Sequence, residues 1–371
     1  MKFRNWIVAI HGWIGIGLGL FLMVISLSGT GIVFQKELDH ALNRSLYQVT
    51  PQSQPVSLDA IVAPVFAAHA DLPIWFIETP LTPDESYVIN QKLANDHRLQ
   101  TFVNPYTGKI LGQRIWEFSL VGFLYTLHHD LFAGRVGQIM VGITGFLLLL
   151  MAVTGVVLWS GWRRLLRGFT IRWQAPLPFV SYDIHKVSGI VSSVFLSITA
   201  LTGIVIVLVH FLPMFNQVPE AKAVPKTAPI ALSQLLQKAD ATIPEGKTSV
   251  IEFNEYDPAQ LLVRKKLPHQ ETGRFDLSVV ELDRYKGKVV QTTKVVKPDP
   301  FFAFLVAIAE LHFGTFGGLP TRILYFGVGL MPTLLFITGL VNWRRRRTIG
   351  HRREVALNAA AVTQATNQVQ R

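Results

Sequence analysis

The sequence contains no cysteine, and charged residues make up only 16% of its 371 residues. The lack of cysteine excludes disulfides, thiolate nucleophiles, Cys-ligated zinc and iron–sulfur clusters. Any metal or redox chemistry must therefore depend on histidine, carboxylate or a bound cofactor. Half of the residues are hydrophobic and the mean hydropathy is +0.34. Little charge and this much apolar character are typical of a membrane protein.

The net charge of +11 is concentrated beside apolar segments instead of covering one face. The basic residues lie before the first segment, between the second and third, and after the fourth: Lys2 and Arg4; Arg163, Arg164, Arg167 and Arg172; Arg344 to Arg347. This positive-inside pattern places both termini and the central loop in the cytoplasm, in a bacterial inner membrane. We therefore expect membrane lipid and not nucleic acid as a partner.

Four apolar segments are long enough to span about 30 Å of hydrocarbon. The predicted organisation is a transmembrane helix at 6–35, a polar insert at 36–115, an interfacial helix and a transmembrane helix at 116–160, a basic cytoplasmic loop at 161–182, a transmembrane helix at 183–212, a second insert at 213–299, an interfacial helix and a transmembrane helix at 300–343, and a basic, then disordered cytoplasmic tail at 344–371. The first segment begins like a signal peptide, but its match to the internal third segment favours a retained helix.

The chain repeats its own pattern. Glycines follow His11 at +4 and +18 and follow His185 at the same distances; they are Gly15, Gly29, Gly189 and Gly203. From His128 and from His312 the chain has glycine at +6 and +17, Thr-Gly at +26 and +27, and tryptophan at +31. We predict a mainly α membrane protein with two parallel tandem repeats, about 1–165 and 175–347, each a helix hairpin.

Each hairpin carries a polar insert with alternating, β-rich segments. The turn Asn104–Gly108 in the first insert matches Asp283–Gly287 in the second, with Asn or Asp four residues before glycine. This spacing is typical of a tight turn between two strands. We therefore predict a small α+β module in each insert, on the side of the membrane opposite the basic loops.

Four of the eleven histidines occupy equivalent positions in the repeat: His11 with His185, and His128 with His312. Equivalent residues face each other across a two-fold axis, and a b-type haem needs one axial imidazole on each side of its iron. The pairs therefore predict two b-type haems per chain, His11/His185 near the cytoplasm and His128/His312 near the periplasm, almost a bilayer apart. The alternative is that each histidine is an interfacial residue that binds water or lipid headgroups.

Two further features bear on this site. Gly15 and Gly189 lie one helical turn after their histidines, where small residues leave room for a porphyrin or allow close helix packing. His129 and His210 have no histidine counterpart, since Phe313 and Lys36 stand at the equivalent positions. Either could replace a symmetric ligand by breaking the symmetry.

The Asn-Pro-Tyr-Thr-Gly-Lys-Ile turn from Asn104, the His-xxx-Gly helix starts and the Leu-His…Thr-Gly-xxx-Trp helices resemble the PepSY-associated transmembrane proteins. The resemblance covers roughly residues 5–347. Within that family the chain is similar to the inner-membrane di-haem ferric-siderophore reductases. The resemblance implies PepSY-like periplasmic modules, a ferric siderophore or other ferric chelate as the acceptor, and release of ferrous iron.

Two other functions stay open on the sequence alone. The inserts could bind a partner protein or a protease while the helices only anchor them, or the repeats could form a transporter. The lack of charged residues inside the spans argues against an ion-coupled transporter, and the paired histidines favour the oxidoreductase. Because the chain has no flavin or nicotinamide motif, quinol or a separate cytoplasmic reductase must supply the electrons.

Overall fold

The structure, a computed structural model, describes residues 2–93, 97–212, 220–225, 227–268, 278–294 and 300–369. Its helices are α1 Lys2–Gly17, α2 Gly19–Ile32, α3 Gln35–Leu42, α4 Arg44–Tyr47, α5 Leu58–Ala68, α6 Leu120–Asp130, α7 Gly134–Leu158, α8 Leu165–Phe169, α9 Leu177–Phe211, α10 Leu232–Thr242, α11 Pro300–Phe313 and α12 Leu319–Val369. The strands are β1 Ile74–Glu78, β2 Tyr87–Lys92, β3 Arg98–Val103, β4 Ile110–Ile115, β5 Lys247–Phe253, β6 Gln260–Lys266, β7 Ser278–Asp283 and β8 Val289–Thr293.

The apolar segments form a helical bundle. The stretches Gly134–Trp162, Leu177–Phe211 and Leu319–Thr348 are each long and apolar enough to cross a membrane. A fourth crossing requires α1 and α2 together, and these two helices are bent by 61° at their junction. The predicted transmembrane segment at 6–35 is thus divided into two helices, and the number of crossings is four if the bent pair is one span.

The bend between α1 and α2 lies between two glycines and against a ring of the last helix. Gly17 and Gly19 flank Leu18, and glycine is a poor helix former. The ring of Phe336 on α12 lies against Gly19 in the space that a side chain there would need. The equivalent positions in the unbroken helix α9 carry Val191 and Ser193. The second half thus retains a straight helix where the first half bends.

The C-terminal tail also differs from the prediction. We expected disorder in the later part of 344–371, whereas α12 continues without a break to Val369. The sequence after Thr348 contains no proline and a single glycine, Gly350. It is rich in alanine, glutamine and arginine, which have high helix propensity. The Ala- and Gln-rich composition predicts disorder, but a long preceding helix removes the cost of nucleating a helix in this segment.

The two inserts form one domain and not two separate modules. Their strands make a single eight-stranded antiparallel sheet in the order β4-β3-β2-β1-β5-β6-β7-β8. The joint is the β1–β5 pair, where Ile77 lies opposite Ile251. These two isoleucines are 174 residues apart, the same spacing as His11 and His185. Each four-stranded meander would otherwise leave a bare edge, and pairing the two edges satisfies their backbone groups.

The core of this domain lies on one face of the sheet, under α5 and α10. Its buried side chains come from both inserts and include Ile61, Ile77, Ile89, Leu235, Ile251 and Val263. Asp59 on α5 accepts hydrogen bonds from the backbone amides of Leu232 (2.8 Å) and Ser233 (3.1 Å), and so caps α10. The two inserts therefore share a core as well as a sheet.

Both predicted turns are present in the structure. The Gly108 amide donates to Asn104 O (3.0 Å), and the Gly287 amide donates to Asp283 O (2.8 Å). Both glycines have a left-handed backbone, with φ of 68° and 64°, which explains the glycine at each position. Below, "sheet side" means the end of the bundle that carries this domain, and "basic side" means the end that carries Arg163–Arg167 and Arg344–Arg347.

Candidate functional site

The structure brings the four equivalent histidines together as two pairs. The ring centroids of His11 and His185 lie 6.3 Å apart, between α1 and α9 on the basic side. The centroids of His128 and His312 lie 6.2 Å apart, between α6 and α11 on the sheet side. These are the two pairs that the repeat predicted. Within each pair one ring comes from each half of the chain.

Threonine hydroxyls orient the basic-side pair. His11 Nδ1 lies 2.8 Å from Thr154 Oγ1, and His185 Nδ1 lies 2.9 Å from Thr338 Oγ1. Each hydroxyl already donates its proton to a carbonyl one turn earlier, Leu150 O or Leu334 O, at 2.7 Å. The hydroxyl must therefore accept from the histidine, so that Nδ1 carries the proton and the lone pair of Nε2 is the one that could bind a metal.

Backbone carbonyls orient the sheet-side pair. His128 Nδ1 donates to Ile25 O (2.8 Å), and His312 Nδ1 donates to Thr199 O (3.0 Å). Ile25 and Thr199 are themselves equivalent positions, 174 residues apart. Since a carbonyl oxygen can only accept, these contacts again place the proton on Nδ1. All four histidines thus present the same tautomer.

The spacing of both pairs fits a shared metal. An iron ion held between two imidazole nitrogens at about 2 Å each places the ring centroids roughly 6 Å apart. The observed 6.3 and 6.2 Å match this value. Elsewhere, among the described residues, no group of three or more His, Asp or Glu side chains is arranged to hold a metal ion. The residues therefore suit a cofactor that brings its own equatorial ligands.

Each pair lines a cavity in the bundle. The sheet-side cavity has a volume of about 580 Å³ and the basic-side cavity about 280 Å³. Both cavities are mainly apolar; the sheet-side volume lies within the range of about 300 to 1,000 Å³ usual for ligand sites, and the basic-side volume lies just below it. Four residues line both cavities and so separate them: Leu22, Leu148, Leu196 and Pro332. The two sites are therefore neighbours across a thin apolar partition.

The distance between the two sites is shorter than we expected. His312 contacts Thr199, which lies fourteen residues after His185 on the unbroken helix α9. At a rise of 1.5 Å per residue, the two histidine layers are roughly 21 Å apart along the helix axis. The expected gap of almost a bilayer is wrong, because the sheet-side pair reaches into the bundle from α6 and α11 instead of lying at its end.

Glycines make room for the imidazoles. A Cβ on Gly29 would lie 2.6 Å from His128 Cε1, and one on Gly203 would lie 2.9 Å from His312 Cε1. A Cβ on Gly155 or Gly339 would lie 3.4 or 3.5 Å from Cε1 of His11 or His185, which is an ordinary contact. The sheet-side rings therefore require their glycines, whereas on the basic side the threonine of the Thr-Gly motif holds the ring and the glycine lies beside it.

The two predicted glycines of the basic-side site, Gly15 and Gly189, lie at its cavity as expected, but their contacts do not distinguish between their two possible roles. Gly15 and Gly189 line the basic-side cavity, and a Cβ on them would meet Met151 at 3.1 Å and Leu335 at 3.6 Å. This position fits both a ligand-packing and a helix-packing role, and the former stays a prediction.

Thr154 and Thr338 were not predicted from the sequence as hydrogen-bond partners of the histidine rings, although their recurrence in the repeat could have identified them.

The two unmatched histidines also form a pair. The rings of His129 and His210 meet edge to face with centroids 5.7 Å apart. His129 lines the sheet-side cavity beside His128. Because the centroid distance of His128 and His312, 6.2 Å, nearly equals the 6.3 Å of the equivalent pair His11 and His185, the geometry favours them over His129 and His210 as axial ligands.

Cations lie at the rim of each cavity. On the basic side they are Arg4, Lys186 and Arg346. On the sheet side they are Lys36 and Arg322, and Arg322 forms an ion pair with Glu37 at 2.5 Å. Cationic rims suit a ligand that has an apolar body and acidic substituents.

Together these features define a multi-pass membrane protein with an antiparallel α+β domain and paired histidines in its helices. The chain matches the family model described as PepSY-associated TM region over residues 8–346. It therefore belongs to that family, which confirms the family predicted from the motifs. No curated protein matches the chain significantly.

Proposed function

We propose that this protein is a haem-dependent oxidoreductase that moves electrons across the bacterial inner membrane and reduces a ferric chelate, in particular a ferric siderophore. The observation that carries the proposal is the pair of His–His distances, 6.3 and 6.2 Å, with Nδ1 of all four rings anchored. Two symmetric bis-imidazole sites in one helical bundle are difficult to explain as packing alone, because idle polar side chains are costly in a membrane interior.

The proposed topology follows the charge distribution. The basic side carries Arg163, Arg164 and Arg167 in the central loop and Arg344–Arg347 after the last span, which places it in the cytoplasm. The sheet domain and the His128/His312 pair then lie on the periplasmic side. The two halves of the bundle are parallel repeats, and each contributes one hairpin and one insert.

A b-type haem, when bound, supplies one-electron transfer at its iron. His11 and His185 would hold one such group, and His128 and His312 would hold the other. The threonine and carbonyl partners fix the imidazole orientation and raise the basicity of the ligating nitrogen. The apolar lining excludes water, and the partition of Leu22, Leu148, Leu196 and Pro332 keeps the two groups apart at a short distance.

The acceptor is proposed from the location of the sheet-side cavity and from the resemblance to siderophore reductases. A siderophore holds ferric iron through hard oxygen donors, and reduction to the ferrous ion weakens this binding. The basic residues of the inserts contribute less attraction than their number suggests. Lys92 and Arg264 form ion pairs with Glu255 (3.1 Å) and Glu252 (2.6 Å), and Lys265 is buried against Asp240. Quinol or a cytoplasmic reductase is the proposed donor.

The function is tested by transferring electrons to defined acceptors. The purified protein is reduced without oxygen, and ferric siderophores are added together with a ferrous-iron trap. We expect the haem absorption to return to the oxidised form while trapped ferrous iron appears in equal amount. If every ferric complex leaves the protein reduced while quinones reoxidise it, iron release is not the function. A colourless preparation from haem-replete cells would instead support a membrane-anchored binding module.

Removing the threonine hydroxyls is expected to weaken the basic-side site alone. Thr154→Val and Thr338→Val keep the side-chain shape but leave His11 or His185 without its Nδ1 partner. Loss of such a partner typically weakens metal binding about 10- to 100-fold. Haem retention during dilution and a redox titration measure this effect. Thr333→Val is the matched control on the same helix α12, because the buried Thr333 hydroxyl has no hydrogen-bond partner among the described residues, and this variant is expected to retain both haems.

A further inference from the structure

Two histidines without a counterpart in the repeat meet on the sheet side of the bundle. The equivalent positions in the other half carry different residues: Phe313 for His129, Gly314 for Asp130, and Lys36 for His210. His129 and His210 are 81 residues apart in the chain, yet their rings lie 5.7 Å apart at the rim of the sheet-side cavity. Two histidines that lack a counterpart in the repeat and yet lie in contact suggest a common function, because neither belongs to the symmetric ligand pairs.

The surrounding contacts hold these rings in place. His129 Nδ1 lies 3.4 Å from Asp130 Oδ2, and its ring stacks on Tyr125 at 5.4 Å with planes 16° apart. His210 Nδ1 donates to Ile206 O at 2.8 Å. A carboxylate or carbonyl on Nδ1 is the usual outer contact of a metal-binding histidine and fixes the tautomer that ligates through Nε2.

The backbone next to this cluster is strained. Leu131 and Phe132 have φ of 53° and 58°, a left-handed conformation that bulky residues rarely adopt. In the second half the equivalent turn begins with Gly314, which accepts φ of 70° readily. The Asp130 carboxylate stabilises the turn by accepting a hydrogen bond from the backbone amide of Phe132 at 3.0 Å. The first half thus has a strained backbone turn next to His129 and Asp130. Backbone strain of this kind is concentrated at functional sites.

We propose that His129 and His210 form a transient binding site for the ferrous ion that is released from the chelate at the sheet-side cavity. This inference depends on the proposed function for the origin of the ion, but not for the binding itself. Two imidazoles that share one ion in neighbouring tetrahedral positions have centroids roughly 5 Å apart. The observed 5.7 Å is slightly longer, so the two rings must turn inward to share an ion. Solvent or the departing chelate completes the coordination, since among the described residues no group of three or more His, Asp or Glu side chains is arranged to hold an ion.

The chemistry explains why imidazole suits this step. Ferric iron prefers hard oxygen donors, whereas ferrous iron is softer and binds imidazole well. The ferric ion gains one electron from the reduced protein and leaves the chelate oxygens, which take up protons from water. The ferrous ion then binds the ring nitrogens of His129 and His210. With only two protein ligands the site binds weakly, which allows the ion to move on.

The test measures ferrous binding directly, without chelate or turnover. The full-length protein in lipid nanodiscs is dialysed anaerobically against radiolabelled ferrous iron at neutral pH. We expect one weakly bound equivalent in the wild type and an affinity at least about tenfold lower in His129→Phe and His210→Lys. Both substitutions copy the residue at the equivalent position, so the fold is expected to tolerate them. His69→Asn, a partly exposed histidine of the sheet domain, is the matched control.

The haem spectrum of each variant decides the remaining alternatives. Unchanged haem content with lost ferrous binding supports the proposal. Loss of one haem in His129→Phe or His210→Lys would show that these residues are axial ligands and overturn it, as would unchanged ferrous binding in both variants. If a variant fails to fold, His129→Gln and His210→Gln replace it under the same criteria. A protein that binds ferrous iron in this manner but reduces no ferric chelate would contradict the proposed function alone.

Discussion

Replacing His185 with alanine is expected to remove one of two haems and to leave the other intact. His11 and His185 form one bis-imidazole site, with centroids 6.3 Å apart, and loss of either ring leaves an iron with a single axial ligand. His11→Ala is therefore expected to remove the same haem. His128→Ala and His312→Ala are expected to remove the second haem, because their site lies in the other cavity.

The measurement is a pyridine haemochrome assay with quantified protein, together with low-temperature difference spectra that resolve the two haems. We expect two haems per chain in the wild type and one in each single variant. The double variant His11→Ala/His185→Ala is expected to match its single variants, since both residues serve one site. His69→Ala controls for the general effect of losing a histidine. If His11→Ala and His128→Ala removed the same haem, the assignment of pairs would be wrong.

The sequence predicted the pairs because the repeat places equivalent residues opposite each other. His11 with His185 and His128 with His312 required only the internal alignment and the idea of a two-fold axis. The same reasoning did not extend to the partners of the rings. Ile25 and Thr199 act through backbone carbonyls, which leave no mark on residue type. Thr154 and Thr338 act through side chains, and their recurrence could have identified them.

Other features escaped prediction because they depend on how the two halves meet. The pairing of Ile77 with Ile251 is a contact between edges, and the alternating pattern of one strand does not indicate its neighbour. The bend before Gly19 depends on the ring of Phe336 from the last helix. The short distance between the two sites depends on α6 and α11 entering the bundle. These three features arise from tertiary contacts, whereas the secondary structure of the segments involved could be predicted from the sequence.

The asymmetric features carry the most specific information about function. A symmetric pair of bis-imidazole sites explains how electrons could cross the bundle, but not which end delivers them. The bend in the first span, the strained turn at Leu131 and the pair of His129 and His210 all lie in the first half or at its contact with the second. The bend lies beside the basic-side cavity, which Gly19 lines, whereas His129 lines only the sheet-side cavity. Under the proposed function, the histidine pair therefore favours the sheet side as the place where the acceptor reacts.

Alanine at Gly29 or Gly203 is expected to disrupt the sheet-side site as severely as loss of a histidine. Helix propensity alone predicts that Gly→Ala stabilises a helix by about 1 kcal/mol. Here the new Cβ would lie 2.6 Å from His128 Cε1 or 2.9 Å from His312 Cε1, closer than two carbon atoms can approach. The ring must move, at a cost of about 1–3 kcal/mol for overpacking. That movement also breaks the hydrogen bond from Nδ1 that orients the ligand.

The glycines of the bundle provide a graded series for this test. Gly155→Ala and Gly339→Ala add a Cβ at 3.4 and 3.5 Å from the basic-side rings, an ordinary contact, and are expected to retain that haem. Gly327→Ala, with no atom within 4 Å of the new Cβ, is the matched control and is expected to be neutral or stabilising. Haem content and thermal unfolding are measured for each variant. Retention of both haems at wild-type stability in Gly29→Ala and Gly203→Ala would contradict the ring positions on which the sheet-side site depends.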